Sequence, residues 1–160
     1  MRVEYISPFV EASFNVLKEV LQGIELKRGD LYLKAASKKI MGVAALVGLA
    51  GDVEGRVLFD MTKETALAVA SGMNGEEMKV MDEMVKATIT ELANMITAQA
   101  VTKLHDQGFK FDLTPPALFT GDNMEISNNL DVEALIVPIE IGTGGGDGKL
   151  EINVVIRERS

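Results

Sequence analysis

The chain contains no cysteine and a single histidine. No disulfide framework, thiolate metal site or cysteine nucleophile is therefore available, and most histidine-rich metal sites are excluded. Long apolar runs are missing near the start of the chain. Glu4, Glu11, Lys18 and Glu19 interrupt any stretch there that could act as a signal peptide or membrane span, so the expected location is the cytoplasm. Basic residues are outnumbered, 16 Lys and Arg against 24 Asp and Glu, for a formal charge of -8. That balance repels phosphate backbones and anionic lipid head groups. No basic stripe with interleaved aromatics offsets it, which argues against a nucleic-acid or membrane partner. Carboxylates, amides, hydroxyls and lysines are what remain for chemistry.

With 160 residues, 47% of them hydrophobic, the chain can bury a core without covalent staples, and a single domain over 1–160 is expected. From Ser7-Pro8 onward, Phe9, Ala12, Phe14, Val16, Leu17, Val20 and Leu21 recur at helical spacing, with Ser7 as N-cap, Pro8 at the first helical position and Gly23 past the end. Residues 31–36 read as a short strand, and 41–49 and 55–61 as a hairpin. Thr62 caps a helix from 63 to about 71, closed by Gly72 and Asn74-Gly75.

A long amphipathic helix then runs from Glu76 to about Asp106, with Glu76 and Glu77 in its first turn to complement the helix dipole. Its buried stripe is Met81, Val85, Thr88, Leu92, Met95, Ile96 and Gln99 or Ala100. Met84, Ala87, Glu91, Asn94, Ala98 and Val101 form the neighbouring strip. Gly108 ends the helix. The connection from 109 to 130 carries Pro115-Pro116, Gly121 and Asn128-Asn129, with one short strand over 117–120. Strands 134–141 and 150–157 flank the glycine-rich turn 142–148 and close the chain as a hairpin. The order predicts an α+β fold, with long helices packed on antiparallel sheet strands in two pseudo-duplicated helix-plus-sheet halves.

Within Thr90-Glu91-Leu92-Ala93-Asn94-Met95-Ile96 a carboxylate and a carboxamide stand three residues apart, so Glu91 and Asn94 project from one helix face. Asn is a mediocre helix former, and its place far from either cap invites a chemical reason. The pair suits capture of a cationic group and orientation of a water, since an amide both donates and accepts. Glu-x-x-Asn is also a short pattern that recurs by chance on solvated helix faces. On the first helix the matching polar residues are Glu11 and Asn15, four apart, so one half at most carries the paired motif. The glycine-rich turn fails as a phosphate loop, because Thr143 stands where Walker A needs Gly and Leu150 where it needs Ser or Thr. His105 beside Asp106 reads as structural or surface.

Together with Pro8-Phe9-Val10-Glu11-Ala12, Gly51-x-x-x-Gly55-Arg56-Val57 and Ala70-Ser71-Gly72-Met73, the Glu91 to Ile96 stretch resembles the CheC/CheX/FliY family of chemotaxis phosphatases, most closely its CheX branch. The similarity covers nearly the whole chain. It implies hydrolysis of the aspartyl phosphate of a CheY-like response regulator in two-component signalling. Asn94 would position the attacking water and Glu91 would pair with the regulator's lysine, both as catalytic residues. It also implies no cofactor of the chain's own, Mg2+ being bound by the regulator, and a homodimer. The family often has Gly four residues after the Asn and Asp or Ser four before the Glu, where this chain has Ala98 and Ala87. Those departures leave open a non-catalytic binding module for a receiver domain or a flagellar or signalling component; a further alternative is a homodimeric scaffold whose Glu91 and Asn94 merely contact solvent.

Overall fold

The computed structural model describes residues 3–34, 38–127, 132–143 and 146–158. Helix α1 spans Val3–Val20, α2 Lys63–Asn74 and α3 Glu83–Asp106. The strands are β1 Glu25–Arg28, β2 Tyr32–Lys34, β3 Lys38–Lys39, β4 Val43–Gly51, β5 Val53–Met61, β6 Phe111–Leu113, β7 Ala117–Thr120, β8 Glu125–Ile126, β9 Ala134–Thr143 and β10 Gly146–Glu158. Eight strands form one antiparallel sheet in the order β1-β9-β10-β5-β4-β6, with β2 also on β9 and β7 also on β4, while β3 pairs β8 as a separate ribbon. The fold is α+β, as expected.

Period-2 alternation decides which side of the sheet each residue faces. Val43, Ala45 and Val47 of β4, Val57 and Phe59 of β5, Ile139 and Ile141 of β9, and Ile152 and Val154 of β10 share one core with Phe9, Val16 and Leu17 of α1, Ala66 and Val69 of α2, and Ile89, Leu92 and Ile96 of α3. All three helices thus cover one face. On the other, Ala44 and Leu58 pack with Ile40, Phe119, Met124 and Ile126, which seats the β3–β8 ribbon over β4 and β5.

The topology is duplicated. The orders α1-β1-β2-β3-β4-β5 and α3-β6-β7-β8-β9-β10 match, with α2 inserted between them. Each half lends its two short strands to the other half's hairpin, β1 and β2 to β9 and β6 and β7 to β4, while the equivalent strands β3 and β8 pair with each other. At the centre β5 pairs with β10, from Met61↔Leu150 to Val53↔Glu158. Helices α1 and α3 lie side by side and antiparallel, with Asn15 and Gln99 lining one end of their contact and Glu4 and Gln107 near the other.

Several boundaries differ from the sequence expectation. Helix α1 begins at Val3, a turn before Ser7, because Tyr5 and Ile6 are buried and draw the upstream turn into the core. Ser7 is exposed rather than capping, and Pro8 lies inside the helix. Helix α2 is capped by Thr62, which accepts the Thr65 N–H at 3.1 Å, and ends at Gly75 with φ 68°. It runs straight through Gly72, where a Cβ would collide with Leu21. Residues 76–82 are not helical: the Ser71 hydroxyl accepts the Met78 N–H at 2.8 Å, and Asp82 caps α3 at Val85. Glu76 and Glu77 therefore lie outside the first turn of α3. Strands β1 and β6, of four and three residues, are too short to carry a pattern. Ala35 and Ala36, Asn128 to Leu130 and the hairpin tip Gly144-Gly145 lie outside the described residues.

The outer face buries charge. Asp60 is 0% and Glu151 5% exposed, and the two stand opposite one another on β5 and β10. Asp60 Oδ1 accepts the Met41 N–H at 2.9 Å, and the Tyr32 hydroxyl donates to Glu151 Oε2 at 2.9 Å. Burial, and then the hydrogen bond and charge of Glu151, push the Tyr32 phenol from 10.0 up to about 12.

Two outcomes follow from this framework. A Cβ at Gly55 would overlap the Val155 carbonyl across the central pair, so Gly55→Ala should cost roughly 2–4 kcal/mol, read as a lower denaturant midpoint. In a spectrophotometric titration one tyrosinate transition should appear near pH 12 and vanish in Tyr32→Phe. Because the folded pKa is raised, the Tyr32–Glu151 contribution to stability is full below pH 10.0 and lost as pH rises through about 12.

Candidate active site

Helix α3 is held in place by its ends and by one apolar face. At its start the Asp82 carboxylate accepts the Val85 N–H at 3.0 Å. Asn74, at the end of α2, donates through Nδ2 to the Thr88 hydroxyl and the Ala70 carbonyl, each at 2.9 Å. At the far end the Phe111 N–H donates to His105 Nε2 at 3.2 Å, tying the last turn to β6. Threonines are poor helix formers, yet four hydroxyls here return to carbonyls one turn back, Thr88 to Met84, Thr90 to Lys86, Thr97 to Ala93 and Thr102 to Ala98.

Val85, Ile89, Leu92, Ala93, Ile96, Ala100 and Leu104 are buried against the sheet and α1. Met84, Ala87, Glu91, Asn94 and Ala98 form a continuous exposed strip on the opposite side. Val101, assigned to that strip from spacing, is only 7% exposed. Gln99 is exposed and Ala100 takes the buried place, while Met81 and Met95 are half-buried.

Glu91 and Asn94 stand together on this strip. Among the described residues neither side chain has a hydrogen-bond or ion-pair partner, so a carboxylate and an amide face outward unengaged. Beside Glu91 a hollow of about 440 Å³ opens between α3 and β7, lined by Glu83, Lys86, Ala87, Thr90, Glu91, Leu118 and Thr120. Leu118 and Thr120 reach it through the pairing of β7 with β4, a long-range contact that no local pattern announces. Towards α1, the Lys103 ammonium pairs with the Glu11 carboxylate. Among the described residues, no three His, Asp or Glu side chains gather as a metal-ligand set, and no helix is long and apolar enough to cross a membrane.

The duplication places a second groove between α1 and β2, about 460 Å³, lined by Ile6, Ser7, Val10, Glu11, Arg28, Leu31, Leu33 and Leu135. Its helix residues match those of the α3 hollow in order, Ile6 for Lys86, Ser7 for Ala87, Val10 for Thr90 and Glu11 for Glu91, and Leu33 stands for Leu118. Burial agrees: Phe9, Ala12, Val16 and Leu17 are buried like Ile89, Leu92, Ile96 and Thr97. In this register the counterpart of Asn94 is Phe14. Asn15, the amide singled out from spacing, lies one residue away and lines the α1–α3 contact. The first half keeps the carboxylate and lacks the amide.

A family model for the chemotaxis phosphatase CheX matches residues 43–140. The chain belongs to the CheX family. It is 45% identical to the CheX chain of a CheX–CheY–BeF3–Mg2+ complex from Borrelia burgdorferi, with a TM-score of 0.83 over 98% of this chain and 100% of that one. A CheX from Desulfovibrio desulfuricans is 28% identical with a TM-score of 0.84, covering 97% of this chain and 100% of that one. The CheY-P phosphatase CheX of Thermotoga maritima is 29% identical over 129 residues, 80% of this chain and 83% of that protein.

Because the Asp82 carboxylate caps the start of the helix that carries the pair, Asp82→Ala should lower stability by about 1 kcal/mol, seen as a lower thermal midpoint.

Proposed function

We propose that this chain is a phosphatase that hydrolyses the aspartyl phosphate of a CheY-like response regulator, with Asn94 and Glu91 as its catalytic pair. The observation that carries the reading is the unengaged carboxylate and amide side by side on an exposed helix face, in a chain of the CheX family. The CheY complex of the Borrelia relative supports a receiver domain as partner.

The geometry suits positioning rather than covalent catalysis. A helix braced on one face by the sheet and α1 can present its exposed face to a partner's active site. There the Asn94 amide accepts a hydrogen bond from a water and donates to the phosphoryl oxygens, holding the water in line with phosphorus. Water oxygen bonds to phosphorus as the bond to the aspartyl oxygen breaks, releasing inorganic phosphate and the receiver's carboxylate. The Glu91 carboxylate takes the receiver's lysine and so sets the approach. Mg2+ comes with the receiver and neutralises charge on the phosphoryl group. The exposed methyls of Ala87 and Ala98 leave both flanks of the pair low enough for that approach.

The protein works in the cytoplasm, where its partner resides, as a homodimer and as a single domain over 1–160. The duplicated half keeps the carboxylate and lacks the amide, which leaves one such pair per chain.

Decay of a phosphorylated receiver, measured with Mg2+ and substoichiometric protein, tests the reading. Wild type should accelerate it over many turnovers. Asn94→Ala should lose at least about 100-fold in rate while still binding, and Glu91→Ala should weaken binding as well. A wild-type rate from Asn94→Ala would sink the mechanism, and binding without turnover by the wild type would leave a non-catalytic module.

A further inference from the structure

The two halves provide an internal control on what the fold alone requires. Where α1 carries Ile6 and Val10 against Leu33, α3 carries Lys86 and Thr90 against Leu118. Aliphatic side chains therefore satisfy the packing at both positions, and a lysine at the first is not a demand of the fold.

Nor is Lys86 held by its surroundings. Its side chain is partly exposed, and its ammonium has one partner among the described residues, Glu83 Oε1 at 3.5 Å. The Glu83 side chain is itself 94% exposed. Such a pair contributes little to stability and gives way to a competing carboxylate. Lys86 also shares the rim of one hollow with Glu91, a cation and an anion facing the same opening.

We propose that Lys86 is a specificity-determining docking residue, whose ammonium takes a carboxylate on the receiver while Glu91 takes the receiver's lysine. The inference rests on the phosphatase reading and names a second contact for the same partner. Asn94 lies eight residues further along α3, about 12 Å of helix rise, and a lysine side chain reaches roughly 6 Å. The ammonium is therefore matched to a carboxylate at the edge of the docked receiver and not to the phosphoryl group. Opposite charges on one rim also give the contact a polarity: a receiver with its lysine and carboxylate exchanged would meet two like-charge clashes.

The test is the dependence of initial rate on phosphorylated receiver concentration. Lys86→Met should raise KM about fivefold with kcat within about twofold of wild type, and should flatten the dependence of KM on salt. Lys86→Glu should raise KM further, and Lys86→Arg should restore it. The Lys86→Met thermal midpoint should stay at the wild-type value, as the isoleucine at the duplicate position implies. An unchanged KM for Lys86→Met at low ionic strength would overturn the proposal. If the wild type gives no turnover, the phosphatase reading falls by itself, and Lys86 is judged on the Kd for beryllofluoride-activated receiver. A similar weakening supports it; an unchanged Kd, or no binding by the wild type, overturns it.

Discussion

The antiparallel pairing of β5 with β10 is the seam on which the molecule is built. It joins the two hairpins at the middle of the sheet, and the inward residues of both strands, Val57 and Phe59 with Ile152 and Val154, form the floor on which the helices rest. Close approach of the two backbones is part of that seam: Gly55 sits where any side chain would meet the Val155 carbonyl. Since the halves meet about this pair in opposite directions, their leading helices come out antiparallel and adjacent. Each can bury only one flank against the other. The remaining flank of α3 is left to solvent, and Glu91 and Asn94 are on it.

Two equivalent grooves with different linings show how such a scaffold divides its work. The groove beside α3 offers carboxylates, an ammonium and hydroxyls, the character of a surface met transiently by a polar partner. The groove beside α1 offers Ile6, Val10, Leu31, Leu33 and Leu135, and its carboxylate is neutralised by Lys103. Phe14 stands there in place of the amide. One helix frame thus carries two different faces, and the difference between the halves resides in a few side chains.

Local signals were strong where chemistry is local. The Thr62 cap and the Gly75 terminus bracket α2, the period-2 strands form both hairpins, and β7 spans Ala117–Thr120 as its pattern predicts. They failed where tertiary contacts override them. Burial of Tyr5 and Ile6 carries α1 upstream past its apparent cap, the hydrogen bond from Met78 to Ser71 delays the start of α3, and α2 continues through Gly72, where the nearby Leu21 leaves no room for a side chain. Strands such as β1 and β6 owe their existence to the hairpin edges they pair with.

The sequence by itself determined the α+β class, the long helix, and the presence of Glu91 and Asn94 on one face of it, because helical periodicity and a resemblance spread over nearly the whole chain need no knowledge of distant contacts. Only the tertiary structure decided that this face is free, that Lys86, Leu118 and Thr120 gather beside it, and that Phe14 rather than Asn15 answers to Asn94. Those facts depend on strand exchange between the halves and on the register of α1 against α3, and both are set by packing between residues far apart in the chain.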